Sequence, residues 1–210
     1  MGRERWELLL DYAMRQLKGL PQRYALGGGT ALRFLYNHRD SNDIDIFFSD
    51  TQLRNYITPR LNDAVDEYLD GYIEAEISTK LMFAEGEVDF IVAPPATAIP
   101  PKLMCVAGYE IPIEDPIEII AKKVRYRLGQ IKARDIFDIL TVMKFGRDRF
   151  LANTEYFSAY ADEIRERLGR VVESSFLHDM EKYDVFPNGE LVLREHRQLY
   201  QDFLNAISKS

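Results

Sequence analysis

Gly28-Gly29-Thr30-Ala31-Leu32, followed after a helix and a polar loop by Asp43-Ile44-Asp45-Ile46-Phe47-Phe48, is the stretch on which the reading of the fold turns. Upstream of it, Tyr24-Ala25-Leu26 has the character of a short strand running into Gly27-Gly28-Gly29. Thr30 is expected to cap a helix over Ala31 to Tyr36, and the residues around Asn37 to Asn42 form a loop into the next strand. There Asp43 and Asp45 alternate against Ile44 and Ile46, the two-residue period of a strand with one polar face. Glycines between a strand and a helix let backbone N–H groups approach an anion, and a helix N-terminus favours negative charge. Two aspartates on one strand face repel each other unless a divalent cation lies between them. Oxygen-only sites suit Mg²⁺, which keeps water and phosphate oxygens as its remaining ligands. A phosphate cradle and a metal clamp within one β-α-β unit are the equipment of phosphoryl or nucleotidyl transfer.

Before this unit, Trp6, Leu9, Leu10, Ala13, Met14 and Leu17 recur at helical spacing over residues 3 to 18, closed by Gly19 and Pro21. Acidic residues interrupt the basic N-terminus, which argues for an amphipathic helix and against a signal peptide. After the unit, Leu53, Ile57, Leu61, Ala64, Val65 and Leu69 predict a helix over Gln52 to Leu69, kinked at Pro59. Strands are expected at Tyr72 to Ile77, Lys80 to Ala84 and Val88 to Val92, with two short ones near Met104 and Glu110 beyond a proline-rich stretch. At Glu114-Asp115-Pro116 the pattern changes: an acidic cap and a proline in the first turn open a helix, and everything after it is helical. The chain therefore divides into an α+β half, residues 1–113, and a helical half, residues 114–210.

Composition sets bounds on this reading. The 210 residues carry a net charge of −7, with 46% apolar and 29% charged residues, an ordinary globular balance. No window approaches the ~18 uninterrupted apolar residues of a membrane span, so no membrane partner is expected. The one cysteine, Cys105, excludes an internal disulfide and suits a reducing cytoplasm. Its apolar neighbours predict an inert buried thiol. His38, His178 and His196 are scattered, without the spacing of a zinc site.

Against the acidic background, Lys122, Lys123, Arg125, Arg127, Lys132 and Arg134 place six basic residues within thirteen positions. On the helix that begins at Pro116, Ile117, Ile120, Ala121, Val124 and Leu128 form an apolar stripe. Lys123 and Arg127 lie on one flank of it, and Lys122 points away and is expected in solvent. On the next helix Ile136, Ile139, Leu140 and Met143 are expected in the core, with Asp135 and Asp138 as i, i+3 neighbours. Taken alone, these charges would be ordinary surface ion pairs, worth little each. The aromatics of the last third, Tyr156, Phe157, Tyr160 and Phe203, have core spacing.

The glycine turn and the paired aspartates, with thirteen residues between Gly29 and Asp43, resemble the signature of the polymerase-β-like nucleotidyltransferase superfamily. Gly28-Gly29-Thr30-Ala31-Leu32, His38-Arg39 and Ser41-Asn42-Asp43-Ile44-Asp45-Ile46-Phe47-Phe48 resemble, more narrowly, the AbiEii/AbiGii toxin family. So do Ala121 and Lys123, then Arg127, then Arg134-Asp135-Ile136-Phe137-Asp138. Together these clusters extend over roughly residues 20 to 145. The resemblance implies a nucleotidyltransferase-like mixed sheet flanked by helices, followed by a helical C-terminal domain that contributes Lys123 and Asp135 to the cleft. It implies a third carboxylate on a later strand, for which Asp89 in Val88-Asp89-Phe90 is the candidate and Glu87 the competitor. Asp43, Asp45 and Asp89 would then hold Mg²⁺ or Mn²⁺. Gly28, Gly29, Thr30, Arg39, Ser41, Lys123 and Arg127 would bind the nucleotide, and Asp135 or Asp138 would orient the lysine or assist the acceptor.

The activity so implied is transfer of NMP from an NTP to an acceptor. For a toxin of a toxin–antitoxin or phage-defence system, that acceptor is an RNA such as a tRNA 3′ end, and an antitoxin is the expected protein partner. Three rivals share parts of the pattern: a small-molecule nucleotidyltransferase like those acting on aminoglycosides, a metal-dependent nuclease, and a non-catalytic nucleotide-binding protein. A nuclease leaves the glycine turn and Lys123 unexplained.

Overall fold

In the computed structural model, which describes residues 4–61 and 69–208, the chain separates into two units. One comprises Met1–Ala31, Ser41–Pro95 and Pro100–Glu114; the other comprises Leu32–Asp40, Ala96–Ile99 and Asp115–Ser210. The first holds α1 (Arg5–Gln16), β1 (Tyr24–Gly27), the opening turn of α2 (Gly28–Tyr36), β2 (Ile44–Phe48), β3 (Gly71–Glu74), β4 (Ser78–Phe83), β5 (Gly86–Val92), β6 (Lys102–Val106) and β7 (Tyr109–Ile113). Its strands form one sheet in the order β3-β4-β5-β2-β1-β7-β6. The pairs β2–β5 and β1–β7 are parallel and the others antiparallel, so the sheet is mixed.

The alternation predicted for β2 decides which face of the sheet is core. Ile44, Ile46 and Phe48 are fully buried, as are Val88 and Phe90 on β5 and Leu9, Leu10 and Ala13 on α1, which packs against both strands. Phe48 stacks on Phe90 at 6.0 Å, and Tyr12 of α1 stacks on Phe83 at 4.4 Å. Burial of each such side chain contributes about 1.5–3 kcal/mol. The opposite face keeps Asp45 and Phe47, and Glu87, Asp89 and Ile91, half-exposed.

Three expectations in this unit are corrected. Thr30 does not cap α2. The helix starts at Gly28, where φ is +64°, and Thr30 lies inside the first turn, its hydroxyl donating to the carbonyl oxygen of Asp43. The glycine makes the turn sharply enough that no extended capping residue is needed. The helix expected over Gln52 to Leu69 is, in its described part, two short 3₁₀ turns, Thr51–Tyr56 and Pro59–Leu61, interrupted before Pro59. That break is where proline removes a donor and restricts its predecessor; residues 62–68 lie outside the described residues. Cys105 is exposed, not buried. It lies on β6, an edge strand, on the same side as the exposed Leu103, so its apolar neighbours do not enclose it.

The second unit holds α3 (Pro116–Arg127), α4 (Ala133–Phe145), α5 (Arg147–Leu151), α6 (Glu155–Ser158), α7 (Ala161–Ser174), α8 (Phe176–Met180) and α9 (Pro187–Ile207). The sequence start signal for α3 is realised: Asp115 accepts a hydrogen bond from the Ile117 N–H at 3.0 Å, with Pro116 in the first turn. α4 packs against α3, α7, α8 and α9 and buries Ile136, Phe137, Ile139, Leu140, Val142 and Met143 completely. Phe157 and Phe203 close with Phe150 into one aromatic cluster, each 5.2 Å from its ring. The rest of α2 also belongs here. It ends at Asn37, which adopts φ +48°, and Asn188 donates to the Tyr36 carbonyl at 2.8 Å. Among the described residues no helix is long and apolar enough to cross a membrane.

Candidate active site

Strand register assembles the acidic face. Asp45 is paired with Gly27 across the antiparallel β1–β2 ladder and with Asp89 across the parallel β2–β5 ladder. Residues opposite each other in a ladder project to the same side of the sheet, so Asp45 and Asp89 are neighbours on one face. Asp43, just before β2, shares their parity and is likewise half-exposed. Gly28 is required by this arrangement twice over. Its positive φ suits glycine, and a Cβ there would collide with the Asp45 carboxylate. A Cβ on Gly27 would meet the Glu114 carboxylate and the Phe47 ring. The negative charge of Asp45 thus lies against the first residue of α2, where unsatisfied N–H groups favour an anion.

Burial pushes Asp89 up to about 6; Lys80 pulls against that rise, and the charge of Asp45 adds to it. Lys80, on β4, is the cross-strand partner of Asp89, with its ammonium 3.4 Å from Asp89 Oδ2 and hydrogen-bonded to Glu87. The oxygen-only donors and the repulsion between adjacent carboxylates fit a hard divalent cation. Among the described residues, however, no three carboxylate, imidazole or thiol groups converge closely enough to enclose an ion. Lys80 and Glu114 were not singled out from the sequence. Ser78-Thr79-Lys80 is uniformly polar and carries no alternation in sequence; the alternate burial of Thr79, Leu81 and Phe83, and with it the partner of Lys80, is set by β4–β5 register.

In the second unit the two helices bring together a buried charge cluster. Lys123 Nζ donates to Asp135 Oδ1 at 2.7 Å and lies 3.0 Å from Asp138 Oδ2. Asp135 also accepts from the Lys132 backbone N–H at 3.2 Å, and Arg127 lies 3.4 Å from it. Asp138 accepts from Arg39 through both Nε and Nη2, each at 2.9 Å, and its Oδ1 is 2.9 Å from His38 Nε2. Arg39 Nη1 donates to the Asp40 carbonyl at 2.9 Å. Asp138, His38, Arg39, Lys123 and Asp135 are all buried. Burial opposes ionisation of Asp138, but Arg39 and then Lys123 outweigh it and hold the carboxyl well below its usual range. Asp135 is lowered in the same way, Lys123 prevailing over burial. Burial lowers His38 despite its contact with Asp138, so the ring is neutral, with Nε2–H as the donor and Nδ1 without a hydrogen-bond partner among the described residues.

Lys122 is not in solvent. It is buried 3.4 Å from Glu118, whose carboxylate also accepts from the Ala96 and Thr97 N–H groups at 2.9 and 2.7 Å. The expectation of a solvated Lys122 fails because α3 is buried on all sides from Ile117 to Val124, with Ala96 and Thr97 bonded to the neighbouring Glu118. Arg125, Arg127 and Lys132 are exposed, and Arg134 is half-exposed. Ser41 contributes its backbone carbonyl, 3.5 Å from the Thr30 hydroxyl.

A mixed sheet that carries paired aspartates beside a glycine-started helix defines the nucleotidyltransferase class. The structure of a protein from H. pylori assigned to the nucleotidyltransferases shows the same fold, with TM-score 0.51 and 19% identity over 97% of this chain and 95% of that one. The chain belongs to the nucleotidyl transferase AbiEii toxin family of type IV toxin–antitoxin systems, whose sequence profile matches residues 12–209, and it is a nucleotidyltransferase. Two further structures are similar at 18% identity. One is an antigenic nucleotidyltransferase-like protein from Paracoccidioides brasiliensis, with TM-score 0.49 over 83% of this chain and 93% of that one. The other is ANT(2'')-Ia in complex with adenylyl-2''-tobramycin, with TM-score 0.44 over 63% and 84%. No curated protein matches the chain.

Proposed function

We propose that this nucleotidyltransferase transfers NMP from an NTP to RNA, a tRNA 3′ end being the leading acceptor, as the toxin partner of a cognate antitoxin in the cytoplasm. The observation that carries the choice of acceptor is the exposed basic run of the second unit. Arg125 and Lys132 are exposed and Arg134 half-exposed on a chain of net charge −7, and the exposed ring of Tyr126 lies 5.5 Å from the Arg125 guanidinium. Cations track a phosphate backbone, and an exposed aromatic beside arginine offers a base a stacking surface. The family's place in type IV toxin–antitoxin systems supports the antitoxin.

In this reading Asp43, Asp45 and Asp89 would hold Mg²⁺ or Mn²⁺. The bound ion would lower the pKa of the acceptor hydroxyl and neutralise charge on the phosphate. Gly28, Gly29, Thr30 and Ser41 receive the nucleotide phosphates, where the N-terminus of α2 favours anions. Lys123 and Arg127, from the helical domain beginning at residue 114, neutralise the triphosphate as the pyrophosphate leaving group gains charge. Asp135 orients Lys123. Arg39 is a further nucleotide-binding candidate, paired like Lys123 with Asp138.

The reaction requires Asp89 ionised, so turnover is expected to rise with pH through about 6. Ion binding favours the carboxylate, and added Mg²⁺ should move this acid limb to lower pH. Relative to the unfolded chain the sign for stability is opposite. A raised carboxyl favours the folded state at acid pH and loses that contribution as pH climbs from 3.8 to about 6. A pH–rate profile at two Mg²⁺ concentrations checks the first claim; an acid limb that stays fixed contradicts it.

The acceptor is tested by charge reversal at Arg125 and Lys132 together. RNA labelling should fall by about tenfold or more and wild-type labelling should decline with salt at a shallow logarithmic slope of about two to three. NTP affinity should be unchanged. Normal RNA labelling by the double variant at physiological salt, or no labelled RNA with any NTP, would transfer the assignment to a small-molecule acceptor.

A further inference from the structure

Among the described residues, Lys80 is a cation paired with carboxylates on the acidic face of the sheet, and the nucleotidyl-transfer reading leaves it without a task. It stands directly opposite Asp89 in the β4–β5 ladder, 3.4 Å from Oδ2, and it bonds both Asp89 and Glu87, which lie two residues apart on one face of β5. A lysine present only to neutralise Asp89 would have that carboxylate as its single partner. This one is shared, and its stem is flexible enough to turn wholly to Glu87 without leaving the ammonium unpaired. We propose that Lys80 is a resident competitor for the Asp89 carboxylate, which a divalent cation displaces onto Glu87 in order to use Asp89 as a ligand. The inference rests on the reading of Asp43, Asp45 and Asp89 as the metal-holding carboxylates.

The physical basis is that an ammonium and a hard divalent cation compete for the same oxygen. While Lys80 stays by Asp89, the face is one unit less negative and Asp89 Oδ2 has a partner. When it turns away, Asp89 is released and Glu87 takes up the freed charge. Lys80 thereby raises the cation concentration at which the site fills, and keeps the two adjacent carboxylates from repelling each other before it does.

The test is binding of Mn²⁺ alone to the full-length chain, with free Mn²⁺ counted by electron paramagnetic resonance at low ionic strength. Lys80→Met should bind Mn²⁺ about two- to fivefold more tightly than wild type, the range expected for removal of one half-exposed ion pair. Lys80→Arg, which keeps the charge, should remain close to wild type, and Asp45→Asn should lose binding. Lys80→Gln supplies a second neutral side chain if the methionine variant does not fold. If the neutral variants bind no more tightly while Asp45→Asn still loses Mn²⁺, the competitor role is overturned and the carboxylate site stands. If Asp45→Asn binds as wild type does, the carboxylate reading fails, and the role of Lys80 with it.

Discussion

Asp45→Asn is expected to reduce NMP transfer by about a hundred- to a thousandfold or more, the scale on which removal of one electrostatic catalytic group acts. Unfolding stability should change by less than about 1 kcal/mol, because the residue is half-exposed and the amide preserves its shape. Asp45 is the carboxylate that β-sheet register and the α2 turn single out together. It is paired with Gly27 on one side and Asp89 on the other, and it leaves no room for a Cβ on Gly28. The substitution removes charge without altering those contacts. Pyrophosphate release measured beside a thermal unfolding curve separates the two effects. A folded Asp45→Asn protein that turns over at a near-normal rate would show that the paired aspartates are not the catalytic carboxylates.

Asp138→Ala is expected to do the reverse, with its first effect on stability. Asp138 is completely buried and its carboxylate serves Arg39, Lys123 and His38 at once. Without it, two buried cations are left to Asp135 alone. Breaking a buried ion pair by deleting one partner typically costs about 3–5 kcal/mol, mostly the penalty of the charge left behind. Loss of helical circular dichroism with urea reports this well, since the cluster's helices lie in the helix-rich second unit. The pH sign follows from the lowered carboxyl. The wild-type contribution is present above 3.8 and is lost as pH falls below it. A change below about 1 kcal/mol would mean that water or rearrangement satisfies Arg39 and Lys123, and that the cluster is less rigid than its distances imply.

The parts of this account that were legible in the sequence are those encoded by near neighbours. The alternation of Ile44-Asp45-Ile46 placed the aspartates on one sheet face, and Glu114-Asp115-Pro116 marked where α3 begins. Lys123 and Asp135 were identifiable from wheel position and family resemblance, and the structure joins them by a hydrogen bond. Two failures were local, at Gly28 and at Pro59; the others depended on segments distant in the chain. Lys122 is buried because α3 is enclosed on all sides there, with Ala96 and Thr97 bonded to the neighbouring Glu118, and Cys105 is exposed because β6 is an edge. His38 and Asp138 are a hundred residues apart in sequence, so no local period could pair them. Lys80 belongs to the same class of omission: its meaning comes from β4–β5 register and from nothing in its own segment.

The most direct test of the central claim follows two labels on one NTP, in the presence of Mg²⁺ and total cellular RNA. The account predicts that the α-phosphate label enters an RNA band, that the γ-phosphate label leaves as pyrophosphate, and that both events disappear with Asp45→Asn. Transfer of the γ label to the acceptor, its release as orthophosphate, or equal labelling by the Asp45→Asn protein would contradict nucleotidyl transfer from this site.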